Sequence, residues 1–95
     1  MLTSTQRKHL RGLAHHLEPV VRVGQKGVTE SVVAETDRAL ESHELIKVRL
    51  DAEGKEKKEI AEALAGKTGA ELAGVVGKIA ILYKAREEKP KIKLP

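Results

Sequence analysis

The 95-residue sequence has no cysteine, no phenylalanine and no tryptophan, and its single aromatic side chain is Tyr83. The lack of cysteine excludes disulfide staples, thiolate zinc sites and cysteine nucleophiles together, so the fold must be held by packing alone. The lack of aromatics leaves almost nothing from which to build a base-stacking sheet like that of an RNA-recognition motif. Any nucleic acid would have to be recognised through phosphates, sugars and shape. Tyr83 shares a strand face with Ile79 and Ile81 and is expected in the core with its hydroxyl at the rim. No apolar run approaches the roughly 20 residues of a membrane span, and Gln6, Arg7, Lys8 and His9 interrupt the opening before a signal-peptide core could form. A soluble cytoplasmic protein is expected.

What is present is charge and aliphatic side chains. Eighteen Lys and Arg against fourteen Asp and Glu leave a net charge of +4, a bias toward polyanions that proves no partner. The 40% apolar residues suffice for one modest core and leave little to line a deep ligand cavity. The length fits one domain with a radius of gyration of roughly 12–13 Å, assigned to residues 1–85, while residues 86–95 read as a loose basic extension.

Thr3 and Gln6 have the spacing of a capping box, and Leu10, Leu13, Ala14 and Leu17 follow at helical intervals, predicting a first helix over residues 4–17. Pro19 stops it, and Val20, Val21 and Val23 supply a short strand that Gly24 ends. Thr29 is the expected N-cap of a second helix reaching residue 42 or 43, with Val28 and Val33 placed as a hydrophobic staple. Residues 45–50 alternate strictly and predict a half-buried strand with Lys47 and Arg49 on its polar face. The polar stretch 51–58 reads as a turn, Ile60 to Ala65 as a third helix ended by Gly66 or Gly69, and residues 70–76 and 79–84 as strands joined by a type II′ turn at Gly77-Lys78. The expected fold is α/β, a two-layer αβαβαββ arrangement with a mixed four-stranded sheet.

The sharpest chemical signal is Gly24-Gln25-Lys26-Gly27, between a predicted strand and a predicted helix N-terminus. Unpaired amides and the positive end of the helix dipole meet there, the glycines admit a close sugar-phosphate backbone, and Lys26 adds a mobile charge. This is the logic of the GXXG loop of KH domains, although an ordinary glycine turn would give the same letters. Arg7, Lys8 and Arg11 form a possible second basic patch on the first helix, and Arg22, Lys47 and Arg49 could extend the surface if their strand faces are open. Gly66-Lys67-Thr68 lacks the leading glycine of a Walker loop and closes a helix where it should open one. His9, His15, His16 and His43 have no metal-ligand spacing, no serine stands in a nucleophile elbow, and the carboxylates are scattered as helix-surface charge. No cofactor, metal, membrane or small-molecule substrate is expected, and no enzyme activity.

Together the opening Leu2-Thr3 to Ala14, the stretch Val23 to Val28, Glu44 to Val48, Thr68 to Leu72 and the end Lys89 to Pro95 resemble the bacterial YhbY proteins, the stand-alone form of the CRM domain. The resemblance implies a fold similar to the C-terminal domain of translation initiation factor three. It also implies RNA binding through the glycine loop, and contact with ribosomal RNA of large-subunit precursors during ribosome assembly. The expected RNA-binding residues are Gly24, Gln25, Lys26, Gly27, Arg7, Lys8, Arg11 and Arg22, in a protein acting as a monomer. The competing reading is a protein-interaction adaptor, with helix faces or the tail lysines Lys89, Lys91 and Lys93 docking an acidic ribosomal or assembly partner.

Overall fold

The computed structural model describes residues 2–95. Helix α1 (Ser4–Ala14) opens with the capping box in place: Thr3 Oγ1 accepts from the Gln6 amide at 3.1 Å and Gln6 Oε1 accepts from the Thr3 amide at 3.0 Å. It is shorter than the periodicity predicts. Of its apolar stripe Leu10 and Ala14 are buried, whereas Leu13 and Leu17 lie at 44% and 38% exposure. Strand β1 (Pro19–Val23), helix α2 (Glu30–His43) and strand β2 (Leu45–Leu50) follow, with the two strands parallel and α2 as their crossover. Helix α3 (Lys55–Thr68) starts within the stretch read as a turn and ends at Gly69, whose φ of 71° is the left-handed cap that glycine favours. Strands β3 (Glu71–Val76) and β4 (Ile79–Tyr83) form the hairpin. Gly77 has φ 58° and Lys78 does not share the positive sign, as a type II′ turn requires.

The expected α/β order and mixed sheet are both present, with strands in the order β1-β2-β4-β3 and β4 antiparallel to both its neighbours. Side-chain alternation along β2 and β4 divides the core in two. Ile46, Val48, Leu50, Ala80 and Leu82 meet Leu40 of α2 and Ala61, Leu64 and Ala65 of α3 on one face. Leu45, Ile81 and Tyr83 meet Leu10 and Ala14 of α1 on the other, so α1 adds cover on a second face to the two layers expected. The radius of gyration is 12.2 Å. Among the described residues no helix is long and apolar enough to cross a membrane.

The tail corrects the expectation of a loose extension. It has no regular secondary structure, yet Ile92 and Leu94 pack against the α1 core and Gln6 Nε2 donates to the Pro95 carbonyl at 3.1 Å. Its anchor is Glu44, a fully buried carboxylate at the junction of α2 and β2. Oε2 accepts from the Arg86 amide at 2.9 Å, and Oε1 accepts from the amides of Lys91 and Ile92. Burial alone would raise this carboxyl's pKa, but the three amides and the nearby Arg86 charge outweigh it and hold the group below its ordinary value.

Candidate nucleic-acid interface

The loop after β1 is a tight turn. The Gly27 amide donates to the Gly24 carbonyl at 3.0 Å, and Gln25 and Lys26 occupy the two exposed central positions. Neither central residue has a positive φ, which fits a type I turn, and Gly27 then takes φ 75°, a left-handed conformation that a side chain would strain. From there the Thr29 amide donates to the Gly27 carbonyl at 3.1 Å, and Thr29 Oγ1 caps α2 by accepting from the Val32 amide at 3.2 Å. Val28 and Val33 both pack against the larger core, as a staple should.

These bonds leave a defined remainder. The amides of Gln25, Lys26 and Val28, and of Glu30 and Ser31 in the first turn of α2, have no protein acceptor among the described residues. They cluster at the positive end of a 14-residue helix, beside the exposed Lys26 ammonium, which is where an anionic oxygen is best accommodated. Glu30, exposed at the same helix end, places an opposing charge there. Gly24 differs from Gly27: its φ is not positive and a Cβ built on it would meet nothing within 4 Å. Neither backbone strain nor local packing demands glycine at position 24, whereas the close approach of another backbone would.

Arg22, two residues before the turn, is largely exposed and bound to Asp51, with Nε and Nη2 both 2.7 Å from Oδ2. The α1 residues are elsewhere. Arg11 donates to the Ala73 carbonyl at 3.0 Å and lies over Gly74, where a Cβ would come within 2.9 Å of its Cδ. That strand, β3, is the edge opposite β1, about 14 Å away at the usual strand spacing. Arg7 donates to the Leu2 carbonyl at 3.0 Å and lies near Ser4 Oγ at 3.4 Å, while Lys8 is exposed without a protein partner among the described residues. The structure therefore joins Arg22 to the glycine loop and sets Arg7, Lys8 and Arg11 apart from it. Arg49 is a neighbour of the loop that the expected set of RNA-binding residues omits. Strand alternation puts it on the polar face, but only the β1–β2 register brings it beside Arg22.

A groove of about 920 Å³ lies between the end of α2 and the tail and mixes Asp37, Glu41 and Glu87 with Lys67, Lys84 and Arg86. It offers neither a sustained positive surface nor an apolar pocket. Among the described residues no group of His, Asp and Glu is arranged to hold a metal.

An RNA-binding protein of Haemophilus influenzae is 45% identical over 95 residues, covering 99% of this chain and 95% of its own length. The probable RNA-binding protein YqeI of Bacillus subtilis is 40% identical over 96 residues, with both chains covered in full. The solution structure of a Staphylococcus aureus candidate RNA-binding protein superposes with a TM-score of 0.89 at 38% identity, each chain covered completely. The family model of the CRS1 / YhbY (CRM) domain matches residues 2–84, and this chain belongs to that family.

Proposed function

We propose that this chain is a non-catalytic RNA-binding protein whose Gly24–Gly27 turn grips the sugar-phosphate backbone of ribosomal RNA in large-subunit precursors. The observation that carries the reading is the group of unpaired amides around an exposed lysine at the start of α2. Such a site takes a phosphate oxygen without reading the base, so it supplies affinity and register but no sequence preference. The RNA-binding names of the Haemophilus and Bacillus relatives support the ligand class, and the ribosomal target rests on the family resemblance. Arg22 extends the grip along β1.

The test is the double variant Gln25→Glu, Lys26→Glu, titrated against ribosomal RNA from large-subunit precursors. Both positions are exposed, so the melting curve should stay unchanged. Removing one charge-assisted hydrogen bond, worth roughly 1.5–3 kcal/mol, predicts an affinity about 10- to 100-fold lower. The salt dependence should also flatten, by about 0.7–0.9 logarithmic units for each phosphate that the loop ceases to neutralise. Undiminished affinity in a folded variant would reject the loop as the site.

One observation favours the adaptor reading. Leu13, Leu17 and Val20 are exposed around a groove of about 400 Å³ that Leu45, Ile46 and Ile92 also line. Deleting the tail does not test that reading cleanly, because removing Ile92 and Leu94 would uncover the α1 core. Charge reversal at the exposed Lys89, Lys91 and Lys93 avoids this difficulty. Loss of an acidic protein partner with RNA binding intact would support the adaptor.

A further inference from the structure

Strand register places one row of side chains across the whole sheet at the loop end. Arg22 pairs with Arg49, Arg49 with Ile79, and Ile79 with Val76. Alternation puts this row on the α1 side of the sheet, because Ile81 and Tyr83 in β4 and Leu45 in β2 point into the α1 core. α1 does not reach it. The Arg22 and Arg49 side chains are 69% and 51% exposed, Val76 is 59% exposed, and Ile79 is half-buried. The row begins two residues before Gly24 and so runs directly into the turn.

Asp51 determines what these arginines can do. Its Oδ2 lies 2.7 Å from both Nε and Nη2 of Arg22, and its Oδ1 lies 3.8 Å from Nε of Arg49. The carboxylate thus takes up a hydrogen-bonding edge of Arg22 and, through the longer ion pair, offsets part of the charge of Arg49, which makes both weaker phosphate clamps. Their flat faces remain available, and guanidinium planes stack on bases much as aromatic rings do. Tyr83 carries the one phenyl-type ring of a sequence without Phe or Trp, and it is buried beneath α1. Beside the turn, therefore, the exposed surfaces suited to stacking are those of the arginines, with Ile79 and Val76 as an apolar floor for ribose and base edges. A duplex keeps its base faces stacked inside and could not use them.

We infer that an unpaired RNA segment leaving the glycine turn runs across this row, its bases lying against Arg22 and Arg49, with Asp51 acting as a positioning residue. The inference rests on the reading that the turn grips RNA, and it adds the form of RNA that the site takes.

The experiment uses the full chain and two labelled probes, a single-stranded oligoadenylate and an abasic strand of equal length. The wild-type chain should prefer the oligoadenylate. Arg49→Lys keeps the charge and removes the plane, so it should lose about 5-fold or more on oligoadenylate and bind the abasic strand unchanged. Asp51→Asn should bind the abasic strand more tightly and discriminate less between the two probes. Equal loss on both probes, no loss from Arg49→Lys, or failure of the wild-type chain to bind oligoadenylate would each overturn the inference. The loop double variant separates the two readings. If it loses binding while Arg49→Lys does not, the row fails and the turn stands; the opposite result rejects the turn, and with it the path proposed from it, while leaving the contact of bases with the arginines.

Discussion

The two ends of α2 handle the same chemistry in opposite ways. At its C-terminal end, amides from Arg86, Lys91 and Ile92 converge on a carboxylate that the chain itself supplies, Glu44. At its N-terminal end, the amides of Gln25, Lys26 and Val28 have no acceptor among the described residues. Main-chain N–H groups that point together can hold an anion, as the three at Glu44 do. The closed end binds the tail to the domain, and the open end faces solvent beside a lysine. Converging amides therefore do not by themselves mark a ligand site, and the informative question is whether the protein has already supplied the anion.

The largest expected effect tests the closed end. Glu44→Gln keeps the shape but sets an amide nitrogen against a backbone donor, and should cost roughly 3 kcal/mol. For a domain of this size that lowers the midpoint by about 12–24 °C in a thermal melt. RNA affinity of the folded fraction should not change, since the loop lies at the other end of the helix. The pH dependence sharpens this test. The folded carboxyl titrates below its ordinary 4.5, so its contribution is complete above that value and disappears as pH falls through the lower folded value. The gap between wild type and Glu44→Gln should stay constant through neutral pH and narrow only in acid.

At the open end, Gly27→Ala forces a side chain into φ 75° and should cost about 1–2 kcal/mol in a denaturant titration, with weaker RNA binding because the turn opens. Thr29→Ala removes the N-cap and should cost about 1 kcal/mol by the same measurement. Gly24→Ala should change stability by less than about 0.5 kcal/mol, because the site has room and an ordinary φ, yet should still weaken RNA binding. Equal binding by Gly24→Ala and wild type would mean that no backbone approaches there, and would remove the contrast between the two ends.

The open end could be read in the sequence because all of its parts are local. The glycines, the lysine and the Thr29 cap fall within six residues, and spacing alone assembles them. The closed end could not. Glu44 meets amides 42 to 48 residues further along the chain, and its φ of 60° occurs where no glycine or asparagine signals a left-handed turn. Arg7 and Arg11 illustrate the same limit. Helical periodicity puts them on a polar face, but only tertiary structure shows that carbonyls of Leu2 and Ala73 occupy them. The first turn of α3 is obscured by its composition, since Lys55 to Lys58 have no apolar residue to set a period.

Tyr83 is buried against α1, and its hydroxyl pKa is raised by burial and by the charge of Glu44. Because the sequence holds no tryptophan, ultraviolet-excited emission from this protein comes from that one ring. It is a built-in optical probe of the latched tail, positioned to register the release of Ile92 and Leu94 from the α1 core.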